Sequence, residues 1–152
     1  MTSSAIESGH TGDPSSTYKP LVAEKAEIRL LQLQTPFLEI GLTQCSLYTT
    51  SLTIQPKFTA LSYVWGDTSI KEDIIVNEVI FPVTINLAMA LRQIASTYGS
   101  VVLWVDAVCI NQDDIDDRNN QVRQMGAIYS QTDSGISWLG PSDDSMIQAT
   151  AL

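Results

Sequence analysis

The run "LWVDAVCINQDDIDDRNNQVRQM", residues 103–125, sets Asp106 inside near-continuous apolar sequence. It then gathers Asp113, Asp114, Asp116 and Asp117 ahead of a helical pattern. A carboxylate among apolar residues must be paired or hydrogen-bonded, because desolvation is costly otherwise. The candidate partners are Arg118, one turn into the following helix, and backbone N–H groups of the 109–113 turn. Asp106 is read either as the residue that orders this turn through Arg118 or as a ligand-binding or catalytic carboxylate, and it is the candidate catalytic residue. Asn111 and Gln112 occupy the turn itself. Asn111 or Asp113 is placed to cap the helix. The clustered aspartates suit a solvated first turn that complements the helix dipole. With Asp113 as the first position of a calcium loop, Ile115 falls at the third and no glycine at the sixth, so no metal site is expected.

A second cluster ends the aromatic-rich stretch "FTALSYVWG". Ser62, Tyr63, Trp65, Gly66 and Asp67 there form either a rim on which a ligand stacks or part of the core. No serine stands in a nucleophile-elbow pattern. The single histidine, His10, lies in the N-terminal tail, so neither a serine triad nor a reactive Cys109 has a base. No phosphate-binding loop, dinucleotide fingerprint or CxxC pair is present, and no cofactor is expected.

The elements that position these residues follow from periodicity. "EIRLLQL" reads as a strand, and 37–54 as one or two more. "FTALSYVWG" is a strand ended by Gly66. "DIIVNEVIFPV" reads as a hairpin in which Ile74, Ile75 and Val76 face Val79, Ile80 and Phe81 across Asn77-Glu78. Thr84 caps a helix over about 85–98, with Leu87, Leu91, Ile94 and Tyr98 on one face and Gly99 as its stop. The run 101–110 has the length and continuity of a central strand, with Asp106 in it. A second helix spans about 113–131, with Ile115, Val122, Met125 and Tyr129 as its buried stripe. A short strand follows at 135–140. The order helix, strand, helix, strand predicts an α/β fold with an open, mostly parallel sheet, to which the β-rich first half adds antiparallel strands.

Composition narrows the function. The 152 residues are 44% hydrophobic and carry 17 acidic against 8 basic side chains, a formal net charge of −9. That field repels polyanions, which argues against nucleic acid and anionic membrane surfaces. No apolar run reaches the roughly 18 residues that a membrane span needs. Cys45 and Cys109 read as reduced core thiols of a cytoplasmic protein rather than a disulfide framework. Residues 1–17, rich in Ser, Thr and Gly and without a signal-peptide pattern, read as a disordered tail. The sequence divides into this tail, a domain over 18–141 and a short C-terminal tail over 142–152.

"FTALSYVWGD" and "LWVDAVCINQDDIDDRNNQVRQMGAIYSQT", followed by Trp138-Leu139-Gly140, together resemble the fungal heterokaryon incompatibility domain. The matching positions are Ala60 to Tyr63, Trp65, Gly66, Leu103 to Gln112, Arg118, Gln121, Val122, Met125, Ile128, Tyr129 and Trp138 to Gly140. The resemblance covers about residues 18–141. Departures are Asp117 where the family usually has Glu, Thr132 where it has Ala, and Gly135 and Ser137 in a strand that is usually apolar. The family domain also runs on past Trp-Leu-Gly, so the chain reads as incomplete at its C-terminus.

The resemblance implies fungal non-self recognition, with programmed cell death promoted through a protein partner or self-association. It also implies a flavodoxin-like fold similar to the Toll/interleukin-receptor (TIR) module. Some TIR-like modules cleave nicotinamide dinucleotides with a helix-borne glutamate. Here every glutamate lies at or before Glu78, so in the alternative reading, a nucleotide hydrolase, Asp106 would have to substitute. An inactive fragment is the third reading. The ligand or interaction candidates are Ser62, Tyr63, Trp65, Gly66, Asp67, Asp106, Asn111, Gln112 and Arg118.

Overall fold

The apolar segments assemble around β1 (Glu27–Leu33), whose Ile28, Leu30, Leu31 and Leu33 are all buried. The computed structural model describes residues 17–34, 42–63, 66, 68–132, 134–138 and 147–151, the last five by backbone alone. The remaining strands are β2 (Gln44–Ser51), β3 (Thr59–Tyr63), β4 (Lys71–Val76), β5 (Val79–Thr84), β6 (Val102–Trp104), β7 (Ser134–Trp138) and β8 (Ile147–Ala151). The helices are α1 (Ile85–Tyr98), the single turn α2 (Asp106–Cys109) and α3 (Ile115–Gln131). The order across the sheet is β5-β4-β2-β1-β6-β3-β7-β8. Among the described residues, no helix is long and apolar enough to cross a membrane.

The fold is α/β, as the order of elements predicts, but the sheet is mixed rather than mostly parallel. β6, β3 and β7 run parallel, as do β2 and β4. β1 is antiparallel to both of its neighbours, and the β4–β5 and β7–β8 pairs are hairpin-like. The reason is β1: it enters the sheet centre from the N-terminal segment without a crossover helix, so nothing obliges it to run parallel. Ile147–Ala151, for which the sequence offers no strand signal, extends the edge as β8.

Alternation assigns the faces. Leu61 and Tyr63 point to one side, where Tyr63 shares a side-chain hydrogen bond with Thr84 at the start of α1. Ala60 and its partner Trp104 point to the other, where Tyr129 of α3 meets the Trp104 ring edge-on at 5.6 Å. α1 buries Leu87, Leu91, Ile94 and the alanines Ala88, Ala90 and Ala95. Its Thr84 cap accepts from the Leu87 N–H, and Gly99 ends it at φ 75°.

The hairpin has the predicted register, Ile74↔Phe81 and Val76↔Val79. Asn77 and Glu78 both take positive φ, 53° and 68°, as the tight turn requires. Asn77 has a second task that the turn pattern does not disclose. Its Oδ1 accepts from the Leu47 N–H at 2.9 Å and its Nδ2 donates to the Leu47 carbonyl at 3.1 Å, locking the short β2–β4 contact. Asn77→Ala is expected to cost about 2 kcal/mol, from two lost bonds and a left-handed Ala, and to lower Tm by about 6 °C in a thermal melt.

The run 101–110 is not one strand. It pairs only over Val102–Trp104, and Asp106 opens the helical turn α2. Continuous apolarity marks burial, and a buried helical turn satisfies it as well as a strand does.

Candidate functional site

Two groups of polar residues lie at the ends of the sheet. The first is built around Arg29, a cation in the middle of an apolar strand, only 3% exposed. Its Nη1 and Nη2 grip the two Asp117 oxygens at 2.9 Å each. Nη1 also donates to the Cys109 carbonyl at 3.1 Å and Nη2 to the Lys19 carbonyl at 3.0 Å. The Tyr18 ring covers the guanidinium at 5.0 Å, while its hydroxyl donates to the Val108 carbonyl at 2.6 Å. Asp117 is itself 7% exposed and also accepts from the Asn111 N–H at 2.9 Å. One ion pair thus ties the N-terminal segment, β1, the turn after α2 and the start of α3 together. A cavity of about 360 Å³ beside it is lined by Tyr18, Lys19, Arg29, Asn111, Asp114 and Asp117.

The buried pair is therefore Arg29–Asp117, and the expected Asp106–Arg118 pair is not formed. Arg118 is exposed, and its side chain has no ion-pair partner among the described residues. The α3 cap is Asp114, whose Oδ1 accepts from the Asp116 and Asp117 N–H groups; it is neither Asn111 nor Asp113. Asn111 Oδ1 instead accepts from the Asp113 N–H at 3.2 Å. Sequence reasoning missed Arg29, Tyr18 and the role of Asp117. The available signal was Arg29 itself, a lone cation flanked by Ile28, Leu30 and Leu31, which needs a buried acid.

The second group lies at the carboxyl ends of β3 and β6. Ser62 is exposed, on the α3 side of β3. Gly66 holds φ 64°, and any β-carbon there would strike the Asn86 amide in the first turn of α1. Trp65 and Asp67 lie outside the described residues. Asp106 is half-buried, and burial pushes its carboxyl above the usual carboxylate range. The N–H groups of Ala107 and of Asp106 itself pull the other way. Burial raises Tyr63 and Tyr129 as well, and the Asp106 charge adds to both shifts. Gln112 donates from its amide to the Asp106 carbonyl at 2.8 Å. The candidates thus divide: Ser62, Tyr63, Gly66 and Asp106 share the strand ends, whereas Asn111 belongs to the Arg29–Asp117 group. Burial holds the Cys45 and Cys109 thiols up at about 12, so both are protonated at neutral pH.

A family model described as heterokaryon incompatibility protein (HET) matches residues 58–151, which contain β3 to β8 and all three helices. The chain belongs to the heterokaryon incompatibility family. Heterokaryon incompatibility protein 6, OR allele, of Neurospora crassa is 37% identical to it over 130 residues. That match takes in 77% of the chain but only 19% of the relative, so the chain spans about a fifth of that protein's length. No solved structure matches significantly.

Thr132 and the Gly135–Ser137 stretch, named above as departures from the expected pattern, find their structural place. Thr132 accepts from the Ala60 N–H at 3.1 Å, and its one hydroxyl proton lies between the carbonyls of Ser134 at 2.7 Å and Phe58 at 2.9 Å, so it ties the start of β3 to the start of β7. Gly135 and Ser137 do not prevent β7, because Ile136 and Trp138 alternate with them into the core. Tyr18 and Arg29 lie outside the family-model match, yet Arg29 holds the matched Asp117.

Proposed function

We propose that this chain is an incompatibility module that promotes fungal cell death in the cytoplasm by associating with protein. The observation that carries the reading is the solvent side of α3. Ile115 and Val122, expected in the core, are 65% and 55% exposed, and Tyr129, whose ring edge also packs on Trp104, is 37% exposed. Such a helix-long apolar stripe on an acidic protein fits an interface better than a free surface. The test is expression in fungal cells of the parent chain and of an Ile115→Glu, Val122→Glu variant. Growth arrest is expected from the parent and not from the variant, with melting unchanged because both sites are exposed. Arrest by a folded variant equal to that of the parent overturns the reading.

A second reading rests on a different observation. In chain order β3, β6 and β7 lie as β6-β3-β7, which supports a flavodoxin-like arrangement whose crevice opens at the carboxyl ends of these strands. Asp106, Tyr63 and Gly66 stand there, and a raised carboxyl suits an acid–base role in hydrolysis of a nicotinamide nucleotide. Incubation of the purified chain with NAD, with nicotinamide followed by chromatography, tests it; absence of release from folded protein removes it.

A further inference from the structure

The exposed stripe of α3 is symmetric about one residue. Ile115 and Tyr129 lie seven positions before and seven after Val122, so the three stand above one another over about 21 Å of helix. An apolar residue at equal spacing on either side of Val122 lets the stripe meet itself across a two-fold axis, the property that isologous contacts need. We propose that the partner of this surface is a second copy of the chain, joined through antiparallel α3 helices with Val122 on the axis. This rests on the association reading above and names its partner.

In that pairing Val122 meets Val122 of the second copy, and Ile115 meets its Tyr129. Arg118 faces Gly126, the one glycine of α3, where an added β-carbon would meet nothing within 4 Å. That open space admits the Arg118 side chain. From there its guanidinium lies about 4.5 Å along the axis from the last turn of the other helix. α3 has acidic residues in its first turn and no basic residue in its last, so its final carbonyls lack a cation of their own. Arg118, without an ion-pair partner in its own chain among the described residues, supplies one from the other copy. Antiparallel packing also sets the two helix dipoles head to tail. The contact is one helix pair, well below the ~1,600 Å² of a standard interface, so the dimer is weak and forms as local concentration rises.

Sedimentation of the full chain over a concentration series tests the proposal, together with cysteine cross-linking. The parent is expected to dimerise reversibly. Val122→Glu, which sets two like charges on the axis, is expected to raise the dissociation constant at least about tenfold, and Val122→Ser to raise it less. Under mild oxidation Val122→Cys is expected to link to itself. Arg118→Cys and Gly126→Cys are expected to link to each other in a mixture and not to themselves; Cys45 and Cys109 are buried and do not compete. A chain that stays monomeric throughout, a dimer that Val122→Glu does not weaken, or self-linking of Gly126→Cys alone would each overturn it. If the chain is monomeric but Val122→Glu still abolishes growth arrest, the second copy is ruled out and association with a different protein stands.

Discussion

Asp117→Ala is expected to destabilise the fold by about 3–5 kcal/mol, a large part of the total stability of a domain this size. The carboxylate is the only anion that the buried Arg29 guanidinium touches among the described residues, and it holds both terminal nitrogens at 2.9 Å. Removal leaves a full charge 3% exposed, with two carbonyls and the Tyr18 ring as its remaining company. The Asn111 N–H loses its acceptor in the same step. Urea unfolding of the parent and variant measures the loss as a fall in midpoint at unchanged slope. The double variant Arg29→Met, Asp117→Leu is expected to recover much of it, because two apolar side chains remove the bare charge as well as the pair. If Asp117→Ala alone costs less than about 1 kcal/mol, the pair does not organise the fold. Asp117→Glu lengthens the acid by one methylene. It is expected to keep the charge pairing but to strain either the two-pronged grip or the Asn111 bond, at about 1 kcal/mol.

Much of this architecture is legible in the residues, and the failures share a cause. β1, α1 and the 74–81 hairpin announce themselves because their buried residues are apolar, Arg29 of β1 excepted, and their ends carry Thr84, Gly99 and Asn77, whose chemistry fixes caps and turns. α3 misleads because its buried side is partly polar. Gln121 is fully buried, with its amide donating to the Glu27 carbonyl, and Asp117 is buried on Arg29. A search for apolar periodicity passes over both and selects Ile115 and Val122, which face solvent. The same blindness hid the ion pair. Asp106 and Arg118 are close in sequence, whereas Arg29 and Asp117 are 88 positions apart and meet only through the sheet. Of the candidate site, only the position of Ser62, Tyr63, Gly66 and Asp106 near strand ends was legible, because short apolar runs mark where β3 and β6 stop. The N-terminal strap of Tyr18 and Lys19 was not, since nothing local in those residues encodes a partner on β1.

Asp106→Asn is the substitution that separates stability from activity. Burial raises the Asp106 carboxyl above the unfolded value of 3.8, so the native state binds this proton more tightly than the unfolded chain does. The contribution of Asp106 to stability is therefore greatest below that value and is lost as pH rises through the window up to the raised one. At pH 7 the ionised carboxylate is a burden to the fold. Asn removes the charge and keeps an oxygen that can accept the backbone bonds of Asp106 and Ala107. The variant is expected to melt at or above the parent's temperature at pH 7, with the advantage vanishing near pH 3. A loss at pH 7 would show that the charge is structural, and equal melting at every pH would show that burial does not penalise it. Activity decides what such a costly group is for. If the strand ends carry hydrolysis, nicotinamide release is expected to fall by about 10²–10⁴ in a variant that is at least as stable. If the chain works by association alone, growth arrest is expected to survive Asp106→Asn and to fail only with the α3 stripe. A residue that weakens the fold at neutral pH and whose loss leaves both outputs intact would be neither, and would point instead to shaping of the α2 turn by its backbone bonds.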